Sequence, residues 1–197
     1  MFSAVSPSQL IYLPKSLVAG ENPDYFEIVY SVVVFTGKMM TKGMYRPDEL
    51  PKNVMMLYWT DYYFGQVMNG GHSQLIENTI DDELAGSLAY AITTAREGFA
   101  AMGADSLSKP LARLADWLSD GTFLQRFAEE EGYDDDAWEF LEELDSDLVA
   151  AAEESPIDEL EAKWLLGWEN LILVEDDQLA VFREEQLNSN PRLTLRH

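Results

Sequence analysis

Apolar residues recur at three- and four-residue intervals along most of the chain, the spacing that puts them on one face of a helix. Tyr25, Ile28, Val29, Val32, Val33 and Phe35 predict a helix over about 23–43, opened by Pro23-Asp24, although the β-branched run Val32-Val33-Val34 also fits a strand. Met56, Trp59, Tyr63 and Val67 predict a helix from Lys52 or Asn53 to about Met68. Leu84, Leu88, Ala91, Ile92, Ala95 and Phe99 predict another from about Asp82 to Met102, with Gly103 as its C-cap. Leu111, Leu114 and Leu118 mark the next, capped by Ser106 or Ser108 with Pro110 in its first turn. Phe123, Leu124 and Phe127 mark a helix over 122–131, which Gly132 ends.

Trp138, Leu141, Leu144 and Leu148 predict an amphipathic helix over 135–154 with all four side chains buried. Another helix follows Ser155-Pro156 and closes with Trp164, Leu165 and Trp168. Leu171-Ile172-Leu173-Val174 reads as a short extended segment, and a last helix starts at Asp176-Asp177 and carries Leu179, Phe182 and Leu187. The fold class is therefore mostly α: a single-domain helical bundle over 23–187 with one short extended segment near the C-terminus. Residues 1–22, with Pro7, Pro14 and Gly20, read as an irregular arm, and 188–197 as a loose polar tail.

The pattern breaks most sharply at Asn69-Gly70-Gly71, where residues that accept positive φ cheaply end one helix and reverse the chain before the next begins at about His72. Gln66, Asn69, Gln74 and Asn78 gather amides at this corner, and Gln74 and Asn78 share a helix face. Two readings stand: a structural corner with satisfied amides, or a small polar pocket that takes a ligand. His72 has no partner visible in the sequence and reads as a capping or surface residue.

Composition adds charge. The chain has 197 residues and a formal net charge of −23, yet it is 47% hydrophobic and 12% aromatic, which argues for a packed core rather than disorder. Such a protein repels nucleic acid and anionic membranes and attracts basic partners. It has no cysteine, so disulfides and thiolate chemistry are excluded. Residues 1–18 do not read as a secretory signal, the run 28–35 is too short to span a bilayer, and the cytoplasm is the expected location.

The charge is uneven. Residues 129–161 hold 16 acids and no Lys or Arg. The candidate partner-binding residues are Glu129, Glu130, Glu131, Asp134, Asp135, Asp136, Glu139, Glu142, Glu143, Asp147, Glu153 and Glu154. On the helix over 135–154, acids three and four apart repel by roughly 0.2–0.5 kcal/mol per pair, and nothing in the local sequence compensates. The bland reading is a solvated face that keeps the protein soluble. The alternative is a surface on which a basic protein docks. Asp134-Asp135-Asp136 lacks the glycine and spaced acids of a calcium loop, so no metal or cofactor is expected. The motifs of nucleophilic, phosphate-binding and zinc-dependent enzymes are absent, and no catalytic residue is assigned.

The run Val67-Met68-Asn69-Gly70-Gly71-His72-Ser73-Gln74-Leu75-Ile76-Glu77-Asn78 resembles the bacterial DNA-mimic domain family, most of whose members have no assigned role. Family members usually carry aromatic residues where this chain has His72 and Leu75-Ile76. Asn69, Gly70, Gly71, Gln74 and Asn78 are the matching motif positions, and a weaker likeness runs from about Leu50 to Leu179. The resemblance implies a mostly helical domain and is compatible with a homodimer. In one branch it implies an acidic surface that imitates DNA and binds a basic DNA-binding protein. The expected function is thus to sequester or modulate a basic DNA-binding protein, whether a transcription factor or, in an immunity-type role, a nuclease toxin. A small-molecule site at the Asn-Gly-Gly corner is the alternative of a different class.

Overall fold

The computed structural model describes residues 9–80, 87–119, 121–122, 134–190 and 193. In chain order the elements are β1 (Ile11–Pro14), α1 (Lys15–Val18), α2 (Tyr25–Thr41), a 3-10 turn (Pro47–Glu49), α3 (Lys52–Thr79), α4 (Leu88–Met102), α5 (Asp105–Leu118), α6 (Asp135–Glu154), α7 (Ile157–Leu166), β2 (Leu171–Val174) and α8 (Asp176–Asn188). The fold is mostly α. The extended segment expected near the C-terminus is β2, which pairs in parallel with β1. The chain divides into two compact units, Met1–Tyr58 with Ile157–His197, and Trp59–Pro156.

In the first unit, α2 begins where the Asp24 side chain accepts a hydrogen bond from the Glu27 N–H at 3.2 Å. Its valine run is helical, because Ile28, Val29, Val32, Thr36, Met39 and Met40 then share one buried face. Leu13, Ile28, Val29, Val32, Leu57, Ala162 and Leu165 form the core, with Leu171 and Trp168 packed against it. Residues 11–18, expected to be part of an irregular arm, instead supply β1 and α1, and Leu13 is fully buried. The short run Ile11-Tyr12-Leu13 finds its partner in β2, with Ile11 opposite Leu171 and Leu13 opposite Leu173. The outer edge of β1 is capped by α8: Gln186 Nε2 donates to the Leu10 carbonyl at 2.7 Å and Arg183 Nη2 to the Tyr12 carbonyl at 3.2 Å. Arg183 also donates to the Ser31 carbonyl, and desolvation lowers its pKa to about 10. After α8 the chain is held as well: Asn190 is buried, and its Nδ2 donates to the carbonyls of Gly43 and Met44.

In the second unit, α4 starts later than expected, at Leu88 after an extended Ser87 whose hydroxyl accepts from the Tyr90 N–H, and it stops at the predicted cap Gly103, which is left-handed. Residues 81–86, where the start of this helix was expected, lie outside the described residues, as does most of the expected helix over 122–131. Helix α5 begins earlier than expected, at Asp105 after Ala104, so Pro110 lies inside it rather than in its first turn. The buried residues include Trp59, Tyr63, Leu75, Ile76, Phe99, Leu107, Leu111 and Leu114.

Candidate functional site

Helix α6 runs over the predicted span. Asp134 caps it, accepting from the Ala137 N–H at 2.8 Å, and Asp135 and Asp136 occupy the first turn, where the dipole favours acids. Its buried residues are Ala137, Leu141, Leu144 and Leu148. Trp138 is not among them: it keeps 44% of its surface exposed, correcting the expected stripe. Steps of four, three and four from Ala137 hold one arc of the helix, and Trp138 stands about 100° away from Ala137.

The opposite arc is acidic. Asp134, Asp135, Asp136, Glu139, Glu142, Glu143, Asp147, Glu153 and Glu154 are all exposed. Glu129, Glu130 and Glu131 lie outside the described residues. The repulsion on this face, which nothing in the local sequence compensates, is partly offset by a base from another helix. Arg113 of α5 places Nη2 3.0 Å from Glu143 and Nη1 2.5 Å from Asp147, with its guanidinium 5.5 Å from the centre of the Phe140 ring. The hydrogen bond to Glu143, and then the charges of Glu143 and Asp147, push the Arg113 pKa up.

The Asn-Gly-Gly corner falls inside α3, where Gly70 and Gly71 interrupt the helical backbone. Gly71 has φ 78° and ψ 179°, a conformation essentially restricted to glycine. A Cβ there would run into the Asp145 carboxylate, and one on Gly70 into the Gln74 side chain. Three of the corner's amides meet. Gln66 Oε1 accepts from Gln74 Nε2 at 2.9 Å and from Asn78 Nδ2 at 2.7 Å. Asn69 Nδ2 turns back to the Gly65 carbonyl at 2.8 Å.

The corner and the acidic helix are joined through two residues that the sequence did not connect. His72, expected as a capping or surface residue, is fully buried. Its backbone N–H donates to Asp145 Oδ1 at 2.8 Å, and its Nδ1 lies 2.5 Å from the same oxygen. Its Nε2 is 3.0 Å from the Tyr63 hydroxyl. An ionised carboxylate only accepts, so Nδ1 carries a proton, and Nε2 shares a further hydrogen bond with the Tyr63 hydroxyl. Burial, followed by the charge of Asp145, raises the Tyr63 pKa and keeps its hydroxyl protonated. Asp145 sits on the flank of α6 between the buried and acidic arcs. The corner thereby fixes the rotation of the helix that displays the acids. A histidine beside a glycine pair and an inward-leaning acid on an acidic helix were the available signals, but 73 residues separate them.

Among the described residues no helix is long and apolar enough to cross a membrane. No curated protein and no solved structure matches the chain. The family model for DMP19-like protein matches residues 48–168, a span that includes the Asn-Gly-Gly corner, its Tyr63–His72–Asp145 contact and the whole of α6. On that match the chain belongs to the DMP19-like protein family.

Proposed function

We propose that the chain is a DNA mimic that binds a basic DNA-binding protein through the exposed acids of α6, and that it acts by occupancy rather than by catalysis. One observation carries the reading. The 20-residue helix is about 30 Å long and displays nine exposed acids, counting its capping Asp134. One strand of B-DNA spaces its phosphates by about 3.4 Å, so it carries roughly nine over the same length. The helix therefore offers the linear charge density of one DNA strand on a rigid support. Membership of the DMP19-like family supports the reading. The corner supports it as scaffold, because its amides bond to one another and His72 anchors α6.

The test uses immobilised protein and native lysate. Wild type is expected to capture a protein that itself binds duplex DNA, to release it as salt rises, and to lose it to added duplex. The variant with Asp135→Lys, Glu139→Lys and Glu142→Lys is expected to fold and capture nothing. These three positions avoid the acids paired with Arg113. Capture that duplex does not compete, or capture undiminished in the variant, overturns the reading. Whether the captured protein is a transcription factor or a nuclease decides between modulation and immunity.

A further inference from the structure

The two edges of the small sheet are treated differently. Ile11 N–H donates to the Asn170 carbonyl at 2.9 Å, which sets the phase of the parallel ladder. Asn170, Ile172 and Val174 then turn their backbone groups toward β1, while Leu171 and Leu173 turn theirs outward. The corresponding outward carbonyls of β1, at Leu10 and Tyr12, are taken by Gln186 and Arg183. On β2 the Leu171 N–H is satisfied by the Trp168 carbonyl at 3.2 Å. Among the described residues nothing bonds the Leu171 carbonyl or either backbone group of Leu173. The side chains beside this open edge are apolar on both faces: Ile172 is 39% exposed and Leu173 41%.

We infer that the outer edge of β2 is a second interaction surface, which takes an extended segment of a partner protein by strand addition. An uncapped edge with apolar side chains is the template such recognition uses. The flanks define the chemistry of the segment. Exposed Glu169 stands at one end of β2, and exposed Glu175, Asp176 and Asp177 at the other. Lys15 offsets only Glu175, at 2.5 Å. The fitting segment is three or four apolar residues with Lys or Arg on both sides. A second copy of this chain is disfavoured, because two-fold antiparallel pairing of β2 sets Glu169 of each copy against the acids that follow Val174 in the other. The surface lies beyond residues 48–168, so this inference does not rest on the reading of α6.

The probe is a labelled peptide with a valine-isoleucine-valine-isoleucine run between two pairs of lysines. Its control is the same peptide N-methylated at alternate positions of the run, with equal charge and side chains. Binding is read by anisotropy at about 0.15 M salt, where exposed charges are screened beyond about 8 Å. The parent peptide is expected to bind at least tenfold more tightly than the control and to slow exchange of the Leu173 amide. Leu173→Pro removes the outward donor without touching the ladder and is expected to abolish the difference. As a second variant outside the strand, Glu169→Lys with Asp177→Lys is expected to weaken binding severalfold with the fold intact. Equal binding of parent and control reduces the effect to charge attraction and overturns the proposal. A Leu173 amide protected without peptide, in a protein that sediments as a dimer, assigns the edge to a second copy and overturns it too.

Discussion

Gly71 and Asp145 carry more structural consequence than their side chains advertise. At φ 78° and ψ 179° any Cβ is strained, and here it also meets the Asp145 carboxylate. Gly71→Ala is expected to cost about 2–3 kcal/mol, read as a shift of the urea midpoint with an unchanged slope. Asp145→Leu leaves the His72 N–H groups without their acceptor inside the protein. A loss of about 1–3 kcal/mol is expected, together with changed amide shifts along α6. Tyr63→Phe removes only the hydroxyl facing Nε2 and is expected to cost less than Asp145→Leu. If Asp145→Leu is as stable as wild type, the corner does not anchor the helix.

The helices α2 and α6 and the end of α4 were legible because their apolar spacing is regular and Asp24 and Gly103 stand at their ends, whereas the start of α4 at Ser87 was not, since the acids near Asp82 pointed to an earlier one. The break at Gly70-Gly71 was legible for the same local reason. Strand β1 was not, since a four-residue run ending in proline shows no period of its own and is defined by a partner far along the chain. Trp138 was misplaced because residues 138 and 141 also fit a three–four spacing, and only packing chose Ala137 for the interior. Of the candidate site, the acids on α6 were readable from composition and period, but Arg113 was not, because it reaches them from α5. Arg113→Ala tests what that base does. The melting temperature should stay nearly unchanged, as for most exposed pairs, whereas affinity for the basic protein captured by wild type should rise about two- to fivefold. A fall in affinity would make Arg113 part of the contact rather than a brake on it.

Charge also acts on the whole molecule, which at −23 resists compaction by self-repulsion. Asp158 is one place where this is resolved: desolvation, and then the charge of Asp24, raises its pKa above the ordinary 3.8. A carboxyl raised in the folded state favours folding below its unfolded pKa, and that contribution is lost as pH rises through the folded value. Asp158→Asn is therefore expected to stabilise the protein at pH 7 and to leave it unchanged at pH 3, read by urea denaturation at both. A different kind of consequence follows from the β1–β2 ladder. Ile11 and Leu171 are 160 residues apart, and closing a loop of that length costs on the order of 4–5 kcal/mol beyond a constant. Contacts so distant form late, after helices whose own contacts are local. During synthesis β1 must also wait for 160 further residues before its partner exists. Until then the run Ile11-Tyr12-Leu13 is an uncovered sticky end, and this interval is when a nascent chain has most need of a chaperone.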